Sequence, residues 1–190
     1  MTFEDLFLAA ANLSWRQSAI DRSERFARTA HEIAERTLPA THKDRRVAHE
    51  YLIRALIAGD KDAEAVTSLR AYLALRGAAD APPDIALARA HLQLGDSLHR
   101  LARHAESEAV LRRAITLFES LGDAGKLGHA QAVSDLSVAL EKQNRTREAE
   151  PFARQALQMF VALVPPGDAR LVPRYRVLGI ILNGLGRYAE

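Results

Sequence analysis

The sequence predicts an all-α fold, a solenoid in which antiparallel helix pairs stack in series. One pattern of apolar and small residues recurs every 42 residues, in copies that begin at Glu4, Arg46, Ala88, Ala130 and Val172. Helix breaks recur at nearly the same spacing, at Pro39, Pro82, Asp123 and Pro165. A fixed period of this length is the signature of a helical repeat array, and it predicts about four and a half repeats.

Each copy supplies two amphipathic helices. In the first helix, the seventh and eleventh positions lie one turn apart and are mostly leucine, as at Leu136 and Leu140. In the second helix, the twentieth, twenty-fourth and twenty-seventh positions are mostly small, as at Ala149, Ala153 and Ala156. Because small residues let two helix backbones come close, this stripe predicts the contact between the two helices of a pair.

The helices follow one another along a single array that spans residues 1–190. Helices are predicted over residues 4–17, 21–37, 43–58, 61–76, 84–101, 104–121, 126–143 and 146–163. They form repeats over residues 4–39, 43–80, 84–122 and 126–164, and an incomplete fifth repeat covers residues 168–190. Asp21 is expected to cap its helix, with Glu24 completing a capping box. The stretch from Gly77 to Pro83 is expected to be a connector, because Pro-Pro cannot continue a helix.

The fifth copy leaves an apolar face uncovered. Leu178, Leu182 and Leu185 need a following helix over them, and Gly186-Arg187-Tyr188 has the pattern of a turn that opens one. Solenoids require a polar capping element at each end. We therefore expect the natural polypeptide to continue beyond Glu190. The alternative is a dimer in which a second copy covers this face.

The composition is that of an ordinary folded protein. Charged residues make up 26% of the chain, the net charge is only +2, and cysteine is absent. No apolar run reaches the roughly 18 residues that a membrane span requires, and the acidic start lacks the pattern of a signal peptide. These features predict a cytoplasmic protein without disulfides or a membrane partner, and the low net charge argues against nucleic acid as a partner.

At these positions the sequence resembles the tetratricopeptide repeat, in the 42-residue spacing of kinesin light chains. Leu94-Gly95 and Leu178-Gly179 match the Leu-Gly position of that family, and Gly186-Arg187-Tyr188 matches its Gly-x-Tyr position. The resemblance covers nearly the whole chain and implies a right-handed superhelix whose first helices line a concave groove. The cargo preference of kinesin light chains is not expected, because the column that holds their asparagines holds other residues here: Ala9, Tyr51, Gln93, Asp135 and Val177.

Several fragments look like enzyme motifs but lack essential residues. His31-Glu32 and His49-Glu50 have no second histidine four residues after the first, which a zinc-binding helix requires. The run from Gly122 to Gly128 lacks the first glycine, the Ser or Thr and the preceding strand of a phosphate-binding loop. His91, His99 and His104 lie close in sequence but lack metal-ligand spacing on one helical face, so we interpret them as polar surface histidines. No catalytic residue, metal site or cofactor is predicted, and the chain is interpreted as a non-enzyme.

The predicted binding surface is the groove lined by the first helices. Mixed charge with spread arginines suits an extended peptide that can be acidic, because guanidinium groups hold carboxylates and carbonyls. Trp15 is either a ligand anchor or a packing residue of the first repeat, and packing is slightly favoured. The candidate partner-binding residues are Asn12, Trp15, Arg16, Glu50, Arg54, Arg89, Asp96, His99, Arg100, Ser134, Glu141, Lys142, Arg176 and Asn183.

The sequence thus predicts a scaffold or adaptor that binds a protein or peptide in its groove and forms the N-terminal part of a longer regulatory protein. The alternative from another class is the sensor arm of an effector enzyme, of protease or kinase type, whose catalytic domain lies beyond Glu190. A weaker alternative is nucleic-acid binding through an arginine-rich face, with strongly salt-dependent affinity. Self-association through the uncapped C-terminal repeat is a further expectation.

Overall fold

A computed structural model describes residues 20–77 and 84–188 of the chain. Within these ranges the fold is all-α, as predicted, and contains no strand. Its helices are α1 (Ile20–Thr37), α2 (Lys43–Ala58), α3 (Asp62–Gly77), α4 (Ile85–Arg100), α5 (His104–Ser120), α6 (Lys126–Lys142), α7 (Thr146–Leu163) and α8 (Leu171–Gly184). The ends of α2 to α7 agree with the predicted ends to within one residue. The helix predicted over residues 4–17 lies outside the described residues, as does most of the connector.

The chain separates into two compact units, each with its own core. Unit 1 is Met1–Ala81 and contains α1 to α3, and unit 2 is Pro82–Glu190 and contains α4 to α8. The boundary falls in the predicted connector. In unit 2, α4 pairs with α5 and α6 pairs with α7, while α8 is the first helix of the next copy. The predicted arrangement of helix pairs is therefore confirmed.

The turns inside the helix pairs recur with the sequence period. Four of the described residues with a positive φ follow one another at intervals of 42 residues, with φ between 54° and 74°: Asp60, Ala102, Asn144 and Gly186. The next residue in each case donates its backbone N–H to a leucine carbonyl, at 2.9 to 3.0 Å: Lys61 to Leu56, Arg103 to Leu98, Arg145 to Leu140 and Arg187 to Leu182. One turn geometry therefore ends every described first helix.

Ion pairs join successive repeats inside each unit. In three places the basic residue after the turn meets a glutamate 37 residues earlier, on the preceding second helix: Lys61 with Glu24 (2.7 Å), Arg145 with Glu108 (2.5 Å) and Arg187 with Glu150 (2.5 Å). Burial alone would raise the pKa of Glu108, but hydrogen bonds from Gln143, Arg112 and Arg145 bring it below its ordinary value. The charged carboxylate is thus stabilised in the folded chain.

The capping box predicted at Asp21 and Glu24 is wrong. Helix α1 already includes Ile20, so Asp21 lies in its first turn rather than before it. The Glu24 carboxylate accepts hydrogen bonds from Arg28 at 2.8 Å and Lys61 at 2.7 Å. Arg28 lies one turn further along α1 and Lys61 lies in the next repeat, so the Glu24 carboxylate is engaged away from the start of its own helix.

Small residues set the distance between paired helices in unit 2. Ser107 of α5 is fully buried and donates its hydroxyl hydrogen to the Gly95 carbonyl of α4 at 2.7 Å. A side chain at Gly95 has no room, because its Cβ would lie 2.6 Å from Cγ of Leu111. Ala149 of α7 is also fully buried and lies in one cluster with Leu140 of α6. The predicted stripe of small residues is therefore the contact surface of the pair.

Unit 1 contains a buried histidine between its helices. His49 of α2 is 3% exposed, and its Nε2 donates to the Ser68 carbonyl of α3 at 3.0 Å. Its ring lies 4.6 Å from the His31 ring and 5.6 Å from the Tyr72 ring, centroid to centroid. Burial, and the positive charge that His31 can carry, lower the pKa of His49 to about 4. The neutral form is therefore the one that this core accommodates.

The histidines predicted to lie on the polar surface are partly buried instead. His91, His99 and His104 each retain only part of their surface, and the His99 and His104 rings lie 5.1 Å apart. Burial lowers the pKa of His91 to about 4 and also lowers the pKa of His99. These histidines lie beside the contact between paired helices, so the neighbouring helix covers part of each side chain. The sequence pattern of one helix does not reveal this coverage.

Replacing Ala149 with leucine should lower the free energy of unfolding by about 1–3 kcal/mol, because added methylenes overpack a filled helix contact. Ala162→Leu on the same helix is the control, since Ala162 is exposed and surface changes stay within about 0.5 kcal/mol. Denaturation followed by circular dichroism measures both. Equal stability of the two variants would contradict the helix contact.

The stability of the chain should fall in a His49-dependent way as pH drops from 7.5 to 5. The folded-state pKa of His49 lies below its ordinary value of 6.5, so the unfolded chain binds the proton more tightly and stability is lost below pH 6.5. The loss at pH 5 is about 2 kcal/mol. His31 and Arg45 add to the effect and Glu35 opposes it. His49→Gln does not titrate, and urea denaturation of both proteins should show a steeper pH slope for the wild type.

Candidate functional site

A cavity lies between the first helices of three consecutive copies in unit 2. Its volume is about 210 Å³, and α4, α6 and α8 supply nearly all of its wall. The side chains that line it combine acid, base, amide and apolar surface: Gly95, Asp96, His99, Leu111, Gln131, Ser134, Asp135, Val138, Pro173, Arg174, Arg176 and Val177. Each of these three first helices contributes one short segment to the wall: residues 95–99 of α4, 131–138 of α6 and 173–177 of α8.

A hydrogen-bonded chain of side chains crosses this wall. Arg174 of α8, only 8% exposed, donates to Oε1 of Gln131 in α6. Gln131 in turn donates to Oδ1 and Oδ2 of Asp135 at 2.8 and 3.0 Å. The Arg174 guanidinium also lies over the Phe160 ring, 3.9 Å from its centroid. A cation–π contact and an amide bridge therefore hold a buried guanidinium beside a carboxylate.

Two polar groups in this network remain poorly compensated. Burial raises the pKa of Asp135 to about 6; Gln131 and Arg174 oppose the rise, while the negative charge of Asp96 adds to it. The Nε of Arg174 is buried without a hydrogen-bond partner among the described residues. A buried donor left unpaired costs about 1–3 kcal/mol. Unfavourable burial of this kind is typical of a binding site rather than of a repeat core.

The predicted groove residues of unit 2 collect in and around this cavity. Asp96, His99, Ser134 and Arg176 line it, and Ser134, at 6% exposed, lies deepest. The other predicted residues lie on the same helices outside it: Arg89 and Arg100 on α4, Glu141 and Lys142 on α6, and Asn183 on α8. The four cavity residues come from three sequence copies, so the column assignment brings them to one place.

Several predicted charges are already engaged. Arg100 pairs with Asp96 at 2.6 Å, and Lys142 pairs with Glu141 at 3.3 Å. By contrast, Arg89 and Arg176 are exposed and form no ion pair with another described residue. The cation available at the cavity itself is thus Arg176, whereas Arg100 must leave Asp96 before it can hold a ligand.

Glu50 and Arg54 are the predicted groove residues that the structure describes in unit 1. In unit 1, Glu50 accepts a hydrogen bond from the Tyr72 hydroxyl at 2.6 Å, and the Arg54 guanidinium lies 5.2 Å from the Tyr51 ring centroid. Asn12, Trp15 and Arg16 lie outside the described residues.

Sequence reasoning missed Asp135 and Arg174 as site residues. A signal for Arg174 is present in the sequence, because in the second, third and fourth copies the third column holds alanines that are at most 4% exposed: Ala48, Ala90 and Ala132. An arginine at a position where the other copies bury alanine needs more space and a partner for its charge, so it marks this position as unusual. Asp135 is the one charged residue in its sequence column, which otherwise holds Ala9, Tyr51, Gln93 and Val177.

Residues 20–77 and 84–188 contain neither a metal-ligand cluster nor a membrane-spanning helix. No group of three or more His, Cys, Asp or Glu side chains there could hold a metal ion. No helix among them combines the length and the apolar character needed to cross a lipid bilayer.

Asp135→Asn should stabilise the folded chain at pH 7.5. The pKa of Asp135 is raised in the folded state from 3.8 to about 6, so its charged form opposes folding above pH 6, by up to about 3 kcal/mol. The gain should vanish at pH 4, where wild-type Asp135 is protonated when folded. Urea denaturation at both pH values tests this, and a pH-independent difference would contradict it.

Comparison with protein families matches residues 86–160 to the tetratricopeptide repeat. The match includes nearly all of α4 to α7, and therefore two of the three helices that line the cavity. No curated protein sequence matches the chain significantly.

Solved structures with the same fold include a kinesin light chain protein of Podospora anserina with nearly identical TPR-like repeats. It has a TM-score of 0.79 and 14% sequence identity, over 96% of this chain and 87% of that chain. The Rap conjugation gene regulator of plasmid pLS20, solved in complex with the Phr* peptide, has a TM-score of 0.67 and 15% identity, over 96% and 48% of the two chains.

YrrB, a TPR protein with an unusual peptide-binding site, has a TM-score of 0.64 and 15% identity, over 96% of this chain and 78% of its own. Residues 86–160 are therefore tetratricopeptide repeats, and the described helices have the fold of tetratricopeptide-repeat proteins.

Proposed function

We propose that the chain is a scaffold that binds an extended peptide segment of a partner protein along the first helices of unit 2. The observation that carries this proposal is the cavity between α4, α6 and α8. In its wall the buried Nε of Arg174 has no hydrogen-bond partner among the described residues, and burial raises the pKa of Asp135 to about 6. A peptide is the ligand that such a wall suits, because its backbone and side chains offer donors and acceptors at regular intervals.

The cavity determines how one peptide residue is recognised. Its volume of about 210 Å³ accommodates a side chain rather than a cofactor, since small-molecule sites range from about 300 to 1,000 Å³. A hydrogen-bond donor from the peptide would stabilise the charged form of Asp135. Arg176, exposed at the rim, would hold a carboxylate or carbonyl of the next residues. In this arrangement a polar side chain of the peptide binds in the cavity beside Asp135, and an acidic residue next to it in the peptide binds Arg176.

The charge arrangement favours a peptide over nucleic acid. Arginines of unit 2 mostly pair with carboxylates inside the unit, as Arg112 does with Glu108 and Arg170 with Asp168. Nucleic-acid binding requires a row of free cations that neutralise phosphates. Two structurally similar proteins are described with peptides, the Rap regulator with Phr* and YrrB with its peptide-binding site. Both support binding by this fold, and neither identifies the partner of this chain.

Panning a phage-displayed library of random peptides on the purified chain should enrich a shared motif that contains an acidic residue. Selected peptides, measured by fluorescence anisotropy, should bind Arg176→Glu at least tenfold more weakly than wild type, which corresponds to about 1.4 kcal/mol. Reversing this charge removes the free cation at the rim while the exposed position leaves the fold intact.

Arg147→Glu is the matched control, because Arg147 is an exposed arginine of α7 that does not line the cavity. It should bind the selected peptides as wild type does. Enrichment of no motif, or equal loss of affinity in both variants, would overturn the proposal.

A further inference from the structure

Acceptors and donors occupy different sides of the cavity between α4, α6 and α8. Ser134 and Asp135 are adjacent on α6 and both line the cavity, but they point about 100° apart around the helix axis. Burial raises the pKa of Asp135, and the negative charge of Asp96 on α4 raises it further, so Asp135 lies on the α4 side. Leu92 holds the position of Ser134 in the preceding copy, and it packs against clusters that contain α6 residues. This position faces the following copy, so Ser134 lies on the α8 side.

The carboxylate of Asp135 can accept more hydrogen bonds than it receives. Gln131 donates to Oδ1 at 2.8 Å and to Oδ2 at 3.0 Å, whereas the two oxygens of an ionised carboxylate offer about four acceptor sites. Hydrogen bonds to the charged form offset the cost of burying it. The α4 side of the cavity therefore requires a ligand group that donates.

Buried side chains of the same wall carry unused donors. Ser134 is 6% exposed, and its hydroxyl forms no hydrogen bond with another described residue. Arg174 is 8% exposed, and its Nε is buried without a partner among those residues. Both side chains line the cavity. The α8 side therefore requires a ligand group that accepts.

We infer that the cavity selects a carboxamide side chain, glutamine or asparagine, from the bound peptide; this inference rests on the peptide-binding function proposed above. The carboxamide NH₂ donates to the Asp135 carboxylate, and the carboxamide oxygen accepts from the Ser134 hydroxyl. A carboxamide carries two N–H donors and a carbonyl acceptor on one planar group, so it meets both sides of the cavity at once. Ser134 and Asp135 are thus the residues that determine specificity.

Other classes of side chain leave part of the wall unsatisfied. A carboxylate would accept from Ser134, but it would face the negative charges of Asp135 and Asp96. An ammonium group would satisfy the carboxylates, but it offers no acceptor and adds a cation beside Arg174 and Arg176. An apolar side chain satisfies neither side. A serine hydroxyl is too short to fill a cavity of about 210 Å³.

The pairing of a small donor with a carboxylate occurs in one copy of the repeat. The residues at the fifth and sixth positions of the five copies are Leu8-Ala9, Glu50-Tyr51, Leu92-Gln93, Ser134-Asp135 and Arg176-Val177. Because the other copies lack this pair, a carboxamide has one preferred place along the groove. Its binding there would fix the register of the peptide on the first helices.

Peptide mixtures with two defined residues test this preference on the purified chain. Each mixture carries a fixed glutamate for Arg176, a varied residue on one side of it, and randomised residues elsewhere. The varied residue is glutamine, asparagine, glutamate, lysine, serine or leucine. Capture on the immobilised chain, quantified by mass spectrometry, should be at least about tenfold higher for glutamine or asparagine, because the other groups leave polar atoms of the site unpaired.

Two variants of the wall locate the preference. Asp135→Asn should bring the glutamine and glutamate mixtures to nearly equal capture, because the charge that repels glutamate is gone. Ser134→Ala should lower the capture of the glutamine mixture, because the carboxamide oxygen loses its donor. Asp123→Asn is the matched control, an exposed aspartate that does not line the cavity, and it should keep the wild-type preference. Thermal melting followed by circular dichroism verifies that all three variants are folded.

The outcomes separate this inference from the proposed function. Equal capture of all mixtures, or highest capture of the glutamate, lysine, serine or leucine mixture, would overturn the inference alone if Arg176→Glu still abolishes capture. A glutamine preference that survives Asp135→Asn would overturn it as well. If no mixture is captured, the proposed function is wrong and the inference falls with it.

Discussion

The close contact between the two helices of a pair is the constraint on which the rest of the structure depends. Gly95 and Ser107 bring α4 and α5 together through a hydroxyl-to-carbonyl hydrogen bond of 2.7 Å, and Leu111 fills the space that a larger residue at Gly95 would take. A left-handed residue directs the chain back across the first helix. Because this contact occupies one side of each first helix, the opposite side remains free for binding.

The sequence predicts the helices of α2 to α7 closely, because their causes are local. Periodic leucines, small residues and Pro or Gly breaks act over a few positions, and they recur often enough to confirm one another. The capping box at Asp21 and Glu24 failed for the opposite reason. Glu24 bonds to Lys61, 37 residues away, and a local pattern cannot anticipate that partner. The same pairing recurs at Glu108 and Glu150. A search for opposite charges 37 residues apart would therefore find these ion pairs, which rules for helix capping do not predict.

The candidate site was predicted in part. Column logic placed Asp96, His99, Ser134 and Arg176 at one cavity, because residues in equivalent columns of stacked helices must lie side by side. It could not find the raised pKa of Asp135 or the burial of Arg174. Both depend on side chains from several helices, including Gln131 and the Phe160 ring. The column assignment also treats every exposed charged residue as free to bind a ligand, whereas Arg100 forms an ion pair with Asp96.

The buried charges and the apolar outer face show why α8 differs from α4 and α6. In the third column it replaces a buried alanine with Arg174, and in the first it replaces one with exposed Val172. Both replacements are unfavourable for an isolated helix, because one buries a guanidinium and the other exposes apolar surface to water. A repeat selected for stability alone would keep alanine at both. The two departures occur on opposite sides of one helix, so α8 differs from α4 and α6 on both its inner and its outer side.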